Sequence, residues 1–467
     1  MPFRRRLGLT YLQGWLFDRW GFSDIVYIRT PRATQHQGQW FAPMRMSTTS
    51  RYRYMPARQQ KRYYPNLPST SVILLISLVV LAISTIIAFS SRLSLFTSNL
   101  SSPLLRTLTT STTTMSYPKE LQIAELAVQR ATILTKRVFH EKAKGTLSKD
   151  DKSPVTIGDF GAQALIIHAI RKNFPHDEIV AEEEASSLRA NDNLRSQIWS
   201  LVKEARLDDA EAQSVLGGPV GSEEEMLTAI DAGKSAGGAK GRIWALDPID
   251  GTKGFLRGGQ YAVCLALMVD GDVKVGVLGC PNLPVDDQAP LAADAGENQT
   301  DEEGRGVLFA AVRGHGATSR PLGRGALQPS QSIAMKVVSE IARATFCESV
   351  EAGHSSHGDQ AQIAEKLGIT RPSVRMDSQA KYGSIARGAG DVYLRLPVSA
   401  SYQEKIWDHA AGDLIVREAG GQVTDANGNR LDFGRGRTLA GNKGVVAAPK
   451  SVHAQVLEAV KSVLGSK

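Results

Sequence analysis

The sequence is poor in cysteine: its 467 residues include only Cys264, Cys280 and Cys347. Three cysteines cannot form the dense disulfide framework of a small secreted domain, and no two have the CxxC spacing of a structural zinc site. All three lie among apolar neighbours, so we expect reduced thiols in the interior. Charged residues make up 22% and hydrophobic residues 42% of the chain, which excludes a wholly disordered, collagen-like or multi-span membrane protein.

Acidic residues are almost missing from the first quarter of the chain. Residues 1–114 hold 14 basic and 2 acidic residues, a net charge of +12, whereas the remainder holds 41 basic and 45 acidic residues, a net charge of −4. The overall charge of +8 therefore comes from an N-terminal extension. We do not expect the mildly acidic main body to bind nucleic acid.

One long hydrophobic run is present, the eighteen residues of the range 72–89, which lack charge, Gly and Pro. That length just spans the hydrocarbon core of a bilayer. The sequence predicts a basic extension of low order at 1–68, a possible transmembrane segment at 69–91 and a Ser/Thr-rich linker at 92–116. A folded domain is expected at 117–467, with insertions near 202–240 and 284–305.

Two interpretations of the extension stay open. If the run is an anchor, the basic residues before it predict a cytosolic N-terminus and a lumenal main body. If translation starts at Met115, where the linker ends and a regular helical pattern begins, the protein is cytoplasmic. The Arg-rich start also permits organelle targeting. The oligomeric state is open, and a monomer is compatible with the sequence.

From Lys119 onward, helical and strand patterns alternate, which is typical of a layered α/β protein. Helices are expected from Lys119 and at 159–173, 360–367, 379–388 and 408–419. Strands are expected at 178–181, 242–246, 261–269, 272–278 and 392–396, and a further element, a helix or a strand, at 335–339. The acidic and Gly-rich range 202–240 and the range 284–305 are typical of surface excursions.

The most informative segment directly follows the predicted strand at 242–246. Asp247 follows the strand, Pro248 interrupts its hydrogen bonding, and Asp250 comes one tight turn later. Two carboxylates at this spacing, with the Ile249 carbonyl between them, offer the all-oxygen ligands that Mg²⁺ prefers. The N–H groups of Gly251 and Thr252 could hold a phosphate oxygen. An Asp-Pro turn with a helix cap is the competing explanation.

Further acidic residues stand at the ends of predicted elements. Glu182 and Glu183 follow the strand at 178–181, where open α/β sheets bind ligands. Asp408 and Asp159 stand at the heads of predicted helices. A solvated acidic loop and simple helix N-caps would explain these residues equally well.

Together, these motifs resemble the signatures of a known enzyme family. Asp247–Thr252 resembles the DPIDGT signature, and Trp407–Gly412 with Glu418–Gly421 resembles the WDxAAG…EAGG signature, of the lithium-sensitive, magnesium-dependent phosphatases that include inositol monophosphatases and fructose-1,6-bisphosphatase. Five further segments are similar to the fungal 3′(2′),5′-bisphosphate nucleotidases: Ser153–Thr156, Leu246–Arg257, Gly353–His357, Asp377–Tyr382 and Tyr393–Pro397. The resemblance runs from about Met115 to the C-terminus.

The resemblance implies an α-β-α-β-α sandwich and a metal-dependent phosphatase. It implies that two or three Mg²⁺ ions are held by Glu182, Asp247, the Ile249 carbonyl, Asp250 and Asp408, with Glu183 in support. It also implies that Asp159 takes a proton from the attacking water, with Thr252 as a relay. His409, beside Asp408, is expected to be a structural neighbour.

The implied substrate is adenosine 3′,5′-bisphosphate (PAP), cleaved to AMP and phosphate, with the 5′-phosphosulfate analogue as a second substrate. The resemblance places His354, Ser378, Lys381 and Arg395, with Gly251 and Thr252, at the nucleotide. Lithium sensitivity and roles in sulfate assimilation and salt tolerance follow from it. An inositol phosphate phosphatase and a catalytically inactive PAP sensor are the alternatives, and the presence of every expected acidic ligand disfavours the sensor.

Overall fold

The computed structural model describes residues 115–143, 153–286, 291, 304–353, 355–399 and 401–465. Within these ranges, no helix is long and apolar enough to cross a membrane. The basic extension 1–68, the possible span 69–91 and all but the last two residues of the linker lie outside the described residues. The proposed domain boundaries stay predictions.

Seven strands form the first sheet, in the order β1 to β7, and each strand pairs with its neighbours in sequence. The strands are β1 Glu178–Ala181, β2 Arg242–Asp250, β3 Ala262–Val269, β4 Asp272–Pro284, β5 Arg305–Val312, β6 Ala317–Pro321 and β7 Gln331–Ile333. The β1–β2 pair is parallel and the other pairs are antiparallel. The central strands β3 and β4 are apolar almost throughout, because helices cover both faces of the sheet.

Two long helices, α1 Pro118–Ala143 and α2 Ser153–Asn173, cover one face of this sheet. In α1 the side chains of Ile123, Leu126 and Ala127 recur at helical spacing and are buried. The expected start of α2 at Asp159 is wrong, since the helix begins six residues earlier, with Pro154 in its first turn. Asp159 is therefore inside the helix and does not cap it.

The second sheet has five strands in the order β11-β12-β10-β8-β9. Its strands are β8 Phe346–Glu348, β9 Val374–Arg375, β10 Val392–Arg395, β11 Gly421–Thr424 and β12 Val445–Pro449. Helices α9 Ala380–Ala386 and α10 Ala410–Glu418 lie between the two sheets, and α8 His357–Lys366 and α11 His453–Leu464 cover the outer face. The five layers confirm the expected α-β-α-β-α sandwich.

The range 202–240 differs from the expected surface excursion. It contains α5 Ala210–Val215 and α6 Glu223–Asp231, and it follows the short helices α3 Ser186–Arg189 and α4 Asp192–Val202. Met226, Leu227 and Ile230 of α6 are buried in the same cluster as side chains of α2. The range is thus part of the folded body; that it is an insertion stays a prediction.

Several element boundaries also differ from expectation. The element expected at 335–339 is absent, since neither a helix nor a strand covers this range and β7 ends at Ile333. The range 284–305 is described only at its ends and at Leu291, which is buried against the core between the sheets. The three cysteines are free and buried, as expected.

A buried histidine in α2 makes a testable contribution to stability. His168 lies 3.4 Å from Glu225, yet burial, and then the charges of Arg130 and Lys172, lower its pKa to about 4. The unfolded chain therefore binds a proton near pH 6.5 that the folded chain binds only near pH 4, so stability should fall as the pH drops through this window. The loss attributable to His168 is up to about 3 kcal/mol.

Replacing His168 with glutamine should flatten this part of the pH profile, because glutamine does not titrate. Urea unfolding of both proteins between pH 7 and pH 4 measures the difference. A variant whose stability falls as steeply as that of the original chain would show that His168 is not responsible.

Candidate active site

The two aspartates of the DPID motif are set by a bulge in β2. The register of β2 against β3 shifts between Asp247 and Asp250, so the strand continues to Asp250 and does not end at Leu246 as expected. Pro248 cannot donate to the ladder and lies at the irregularity. The Asp247 carboxylate accepts a hydrogen bond from the Ile249 backbone N–H at 3.1 Å. The bulge thereby fixes the side chain of Asp247.

A left-handed glycine follows the bulge. Gly251 has a φ of 88° and precedes the short helix α7 Thr252–Arg257. A Cβ atom at this position would lie 2.9 Å from the Cβ of Ser378. Both the conformation and the close approach require glycine. The Asp250–Gly251 turn is thereby packed directly against the segment around Ser378.

Glu182 comes to the aspartates through strand pairing. β1 runs parallel to β2, and its last residue, Ala181, pairs with Leu246, so Glu182 and Asp247 follow at the same edge of the sheet. Glu183 is held by Gln163 of α2, whose side-chain amide bonds both the backbone C=O and the backbone N–H of Glu183. The expected convergence of acidic residues at strand ends is found.

Asp408 enters from the second half of the chain. It ends a 3-10 turn, Ile406–Asp408, and α10 begins two residues later at Ala410, not at Asp408 as expected. Asp408 therefore does not cap an α-helix. The charges of Asp250 and Glu182 act on Asp408, which therefore lies beside the other carboxylates.

These carboxylates line one cavity of about 490 Å³. Its walls carry Glu182, Asp247, Asp250 and Asp408 together with the cationic side chains Lys253, Lys381, Arg395 and Lys405. Gly251, Thr252 and Ser378 also line it. A cavity lined by both acidic and basic side chains is suited to bind metal cations and an anionic ligand together.

The carboxylates repel one another. Burial, followed by the charges of Glu182, Asp250 and Asp408, raises the pKa of Asp247 well above its ordinary value. Burial and the charge of Asp250 do the same to Asp408. Bound divalent cations would relieve repulsion of this kind between carboxylates, which are the oxygen ligands that they prefer. The residues present thus fit a magnesium site.

Asp159 is buried and is not among the residues that line the cavity. Helix α2 approaches β2 closely at Gly158, where a Cβ atom would lie 2.6 Å from the Cδ1 of Ile249. Burial and the charges of Glu183 and Glu182 raise the pKa of Asp159 well above its ordinary value. Thr252 does line the cavity. A proton relay between Asp159 and Thr252 stays a prediction.

The two predicted phosphate-binding cations already have partners. Lys381 is 2% exposed, and its Nζ donates to the carbonyl oxygens of Met376 and Ser378. The Nε of Arg395 donates to Glu404 at 3.0 Å. Each side chain has further N–H groups, because an ammonium has three and a guanidinium five. Both can therefore also bind a ligand in the cavity.

His354 lies outside the described residues, so its predicted role stays a prediction. His409 is buried between the Tyr382 hydroxyl, at 2.9 Å, and Glu404, at 3.3 Å. His409 also lines the cavity, so the structural role expected for it stays a prediction. Ligand atoms of Glu404, Asp408 and His409 lie within 4.8 Å of one another, but Glu404 is already paired with Arg395.

Two residues that the sequence did not single out connect the segments of the site. Gln379 bonds the backbone on either side of Asp408, at Trp407 and Gly412. Arg437 donates to the Ala181 and Ser235 carbonyl oxygens and lies 4.9 Å from the Trp407 ring centre. Arg437 stands in an Arg- and Gly-rich stretch without periodicity, so no sequence signal indicated it; Gln379 lies inside the quoted motif Asp377–Tyr382.

Comparison with known proteins agrees with this geometry. Residues 118–464 match the model of the inositol monophosphatase family. The chain belongs to this family. It is 71% identical over 350 residues to a 3′(2′),5′-bisphosphate nucleotidase of Emericella nidulans, a match that covers 75% of this chain and 99% of the relative. A protein of the same description from Schizosaccharomyces pombe is 50% identical, with 75% and 97% covered.

Solved structures of the inositol monophosphatase family were also found. SuhB of Mycobacterium tuberculosis is 19% identical to this chain, with a TM-score of 0.45 and with 75% of this chain and 98% of that protein covered. Phosphatases of this family are metal-dependent and usually use Mg²⁺, which agrees with the carboxylates that line the cavity.

Proposed function

We propose that the protein is a magnesium-dependent 3′(2′),5′-bisphosphate nucleotidase that hydrolyses PAP to AMP and phosphate. The observation that carries the proposal is one cavity lined by five carboxylates, Asp377 among them, and by four cationic side chains. An inositol monophosphate has one phosphate to bind, whereas a bisphosphate has a second, which Lys381 and Arg395 would hold. The 71% identity to a relative with this activity in its name supports the same substrate.

Glu182, Asp247, the Ile249 carbonyl, Asp250 and Asp408 would hold two or three Mg²⁺ ions. Bound Mg²⁺ supplies charge neutralisation at the phosphate and lowers the pKa of the attacking water. The bulge in β2 would orient Asp247 and Asp250 for metal binding. Glu183, fixed by Gln163, would support Glu182 from behind.

Asp159 would accept the proton of the attacking water, through Thr252. Its raised pKa suits a general base, since a carboxylate of ordinary pKa is a weak proton acceptor near neutral pH. The backbone N–H groups of Gly251 and Thr252 would hold an oxygen of the phosphate that is cleaved. Attack in line with the leaving 3′-oxygen gives AMP and inorganic phosphate without a covalent enzyme intermediate.

Ser378, Lys381 and Arg395, together with His354, would bind the adenosine and its 5′-phosphate. Because the 5′-group is bound and not cleaved, adenosine 3′-phosphate 5′-phosphosulfate would be a second substrate. Removal of PAP would serve sulfate assimilation and salt tolerance, and lithium would inhibit by replacing one Mg²⁺. If translation starts at Met115, this chemistry takes place in the cytoplasm.

The direct test is to incubate the purified protein with PAP and to separate the products by chromatography. We expect AMP and phosphate in equal amounts, no reaction in EDTA, and recovery on addition of Mg²⁺. Formation of adenosine 3′-phosphate, or release of phosphate in EDTA, would contradict the proposal.

A further inference from the structure

Gln379 lies between two chain segments that carry carboxylates of the cavity, and it is 1% exposed. Its backbone N–H donates to the Asp250 carboxylate at 2.5 Å. Its side-chain Nε2 donates to the carbonyl oxygen of Trp407 at 2.7 Å, and its Oε1 accepts from the N–H of Gly412 at 2.9 Å. One residue thus contacts Asp250 directly and brackets the turn that carries Asp408.

The turn that contains Gln379 is itself held in place. Ser378 has a φ of 68°, and its hydroxyl accepts a hydrogen bond from the Ala380 N–H at 3.1 Å. The Lys381 Nζ donates to the carbonyl oxygens of Met376 and Ser378 at 3.2 and 2.8 Å. Gln379 therefore connects Asp250 with the segment around Asp408 from a turn that is itself held by hydrogen bonds.

Such a connection is needed because the two carboxylates come from different layers of the fold. Asp250 ends a strand of the first sheet, whereas Asp408 precedes a helix between the sheets. The charge of Asp250 acts unfavourably on Asp408, so the distance between the two carboxylates depends on how the backbone around them is fixed. The side chain of Gln379 satisfies one acceptor and one donor on the Asp408 side while its own N–H binds Asp250.

We infer that Gln379 is a positioning residue that sets the distance between the Asp250 and Asp408 carboxylates, and so the affinity of the site for divalent cations. The inference rests on the proposed function, because it treats both aspartates as metal ligands. Gln379 also lines the cavity, but its side-chain amide binds backbone groups at Trp407 and Gly412, so in this account it makes no direct contact with the cation or the substrate. Residues that orient metal ligands from behind typically contribute 10–100-fold to metal affinity or activity.

Replacing Gln379 with methionine tests the inference, since methionine keeps the length of the side chain and loses both hydrogen bonds. The matched control is Gln129→Met. Gln129 is also buried, and its amide makes the same pair of backbone bonds, to the Gly325 carbonyl oxygen and the Gly323 N–H, away from the cavity. Both variants should lose stability and melt at a lower temperature than the original protein.

Only Gln379→Met should weaken cation binding. We expect the Mg²⁺ concentration at half of the full shift in melting temperature to rise about 10–100-fold. At saturating Mg²⁺, kcat should fall by a similar factor, and the KM for PAP should change less than about threefold. Equal Mg²⁺ responses in the two variants would overturn the inference, even with an active original protein. An original protein that binds Mg²⁺ but cleaves no PAP would overturn the proposed function alone.

Hydrogen exchange on the original protein gives a second test that does not depend on the variant folding. If Gln379 couples the two carboxylates, Mg²⁺ should slow amide exchange in 376–381 and 406–412 together. Protection of one segment without the other would contradict the inference.

Discussion

Asp247→Asn is expected to abolish phosphate release and, without divalent cations, to raise the melting temperature. The buried Asp247 carboxylate is repelled by Glu182, Asp250 and Asp408, so loss of its charge removes an unfavourable term from the folded state. The asparagine carbonyl can still accept the hydrogen bond from Ile249. The loss of a metal ligand should lower kcat/KM by at least about 10³-fold. Phosphate release and thermal unfolding in EDTA measure the two effects.

Asp177→Asn is the matched control. Asp177 is also a buried carboxylate, but it accepts hydrogen bonds from Arg242 and from the Trp244 indole. Its replacement should lower stability by about 1–3 kcal/mol and leave the kcat of the folded protein nearly unchanged. If Asp247→Asn destabilised the cation-free protein as Asp177→Asn does, the repulsion among the cavity carboxylates would be refuted.

Arg395→Gln is expected to remove the enzyme's preference for PAP, which carries a 5′-phosphate, over adenosine 3′-phosphate, which does not. A hydrogen bond to a charged group contributes about 1.5–3 kcal/mol, so kcat/KM for PAP should fall roughly 10–150-fold. Adenosine 3′-phosphate lacks the 5′-phosphate, and its hydrolysis should change much less. Steady-state kinetics on the two substrates gives the ratio directly.

Arg320→Gln separates this effect from a general loss of structure. Arg320 has a side-chain exposure of 14% and pairs with the buried Glu125, much as Arg395, at 13%, pairs with Glu404. Arg320 does not line the cavity. Its replacement should therefore leave the ratio between the two substrates unchanged. An equal fall for both substrates in Arg395→Gln would show that Arg395 supports the fold and does not bind the 5′-phosphate.

Local sequence predicted the acidic half of the site well. The spacing of Asp247 and Asp250 at the end of an apolar strand, and Glu182 after another, places all three at one sheet edge once β1 and β2 pair in parallel. What the pattern missed is the continuation of β2 through a bulge, because Pro248 normally ends a strand. Apolar periodicity likewise indicated α1, whereas the start of α2 was placed too late.

The long-range connections could not be predicted from local pattern. Gln379 and Arg437 act through bonds to residues 28 and more than 200 positions away. The resemblance placed Lys381 and Arg395 at the nucleotide, but the sequence could not show the protein partners that tertiary contacts supply for both. The acidic and Gly-rich composition of 202–240 concealed the short apolar face of α6, which is buried against α2.

The most direct test of the whole account is the ratio of kcat/KM for PAP to that for inositol 1-phosphate, measured on the purified protein with saturating Mg²⁺. The additional charged contacts to the 5′-phosphate predict a preference for PAP of at least about 100-fold. Equal rates, or a preference for the inositol ester, would contradict the nucleotidase assignment and leave a phosphatase of the same family with a different substrate.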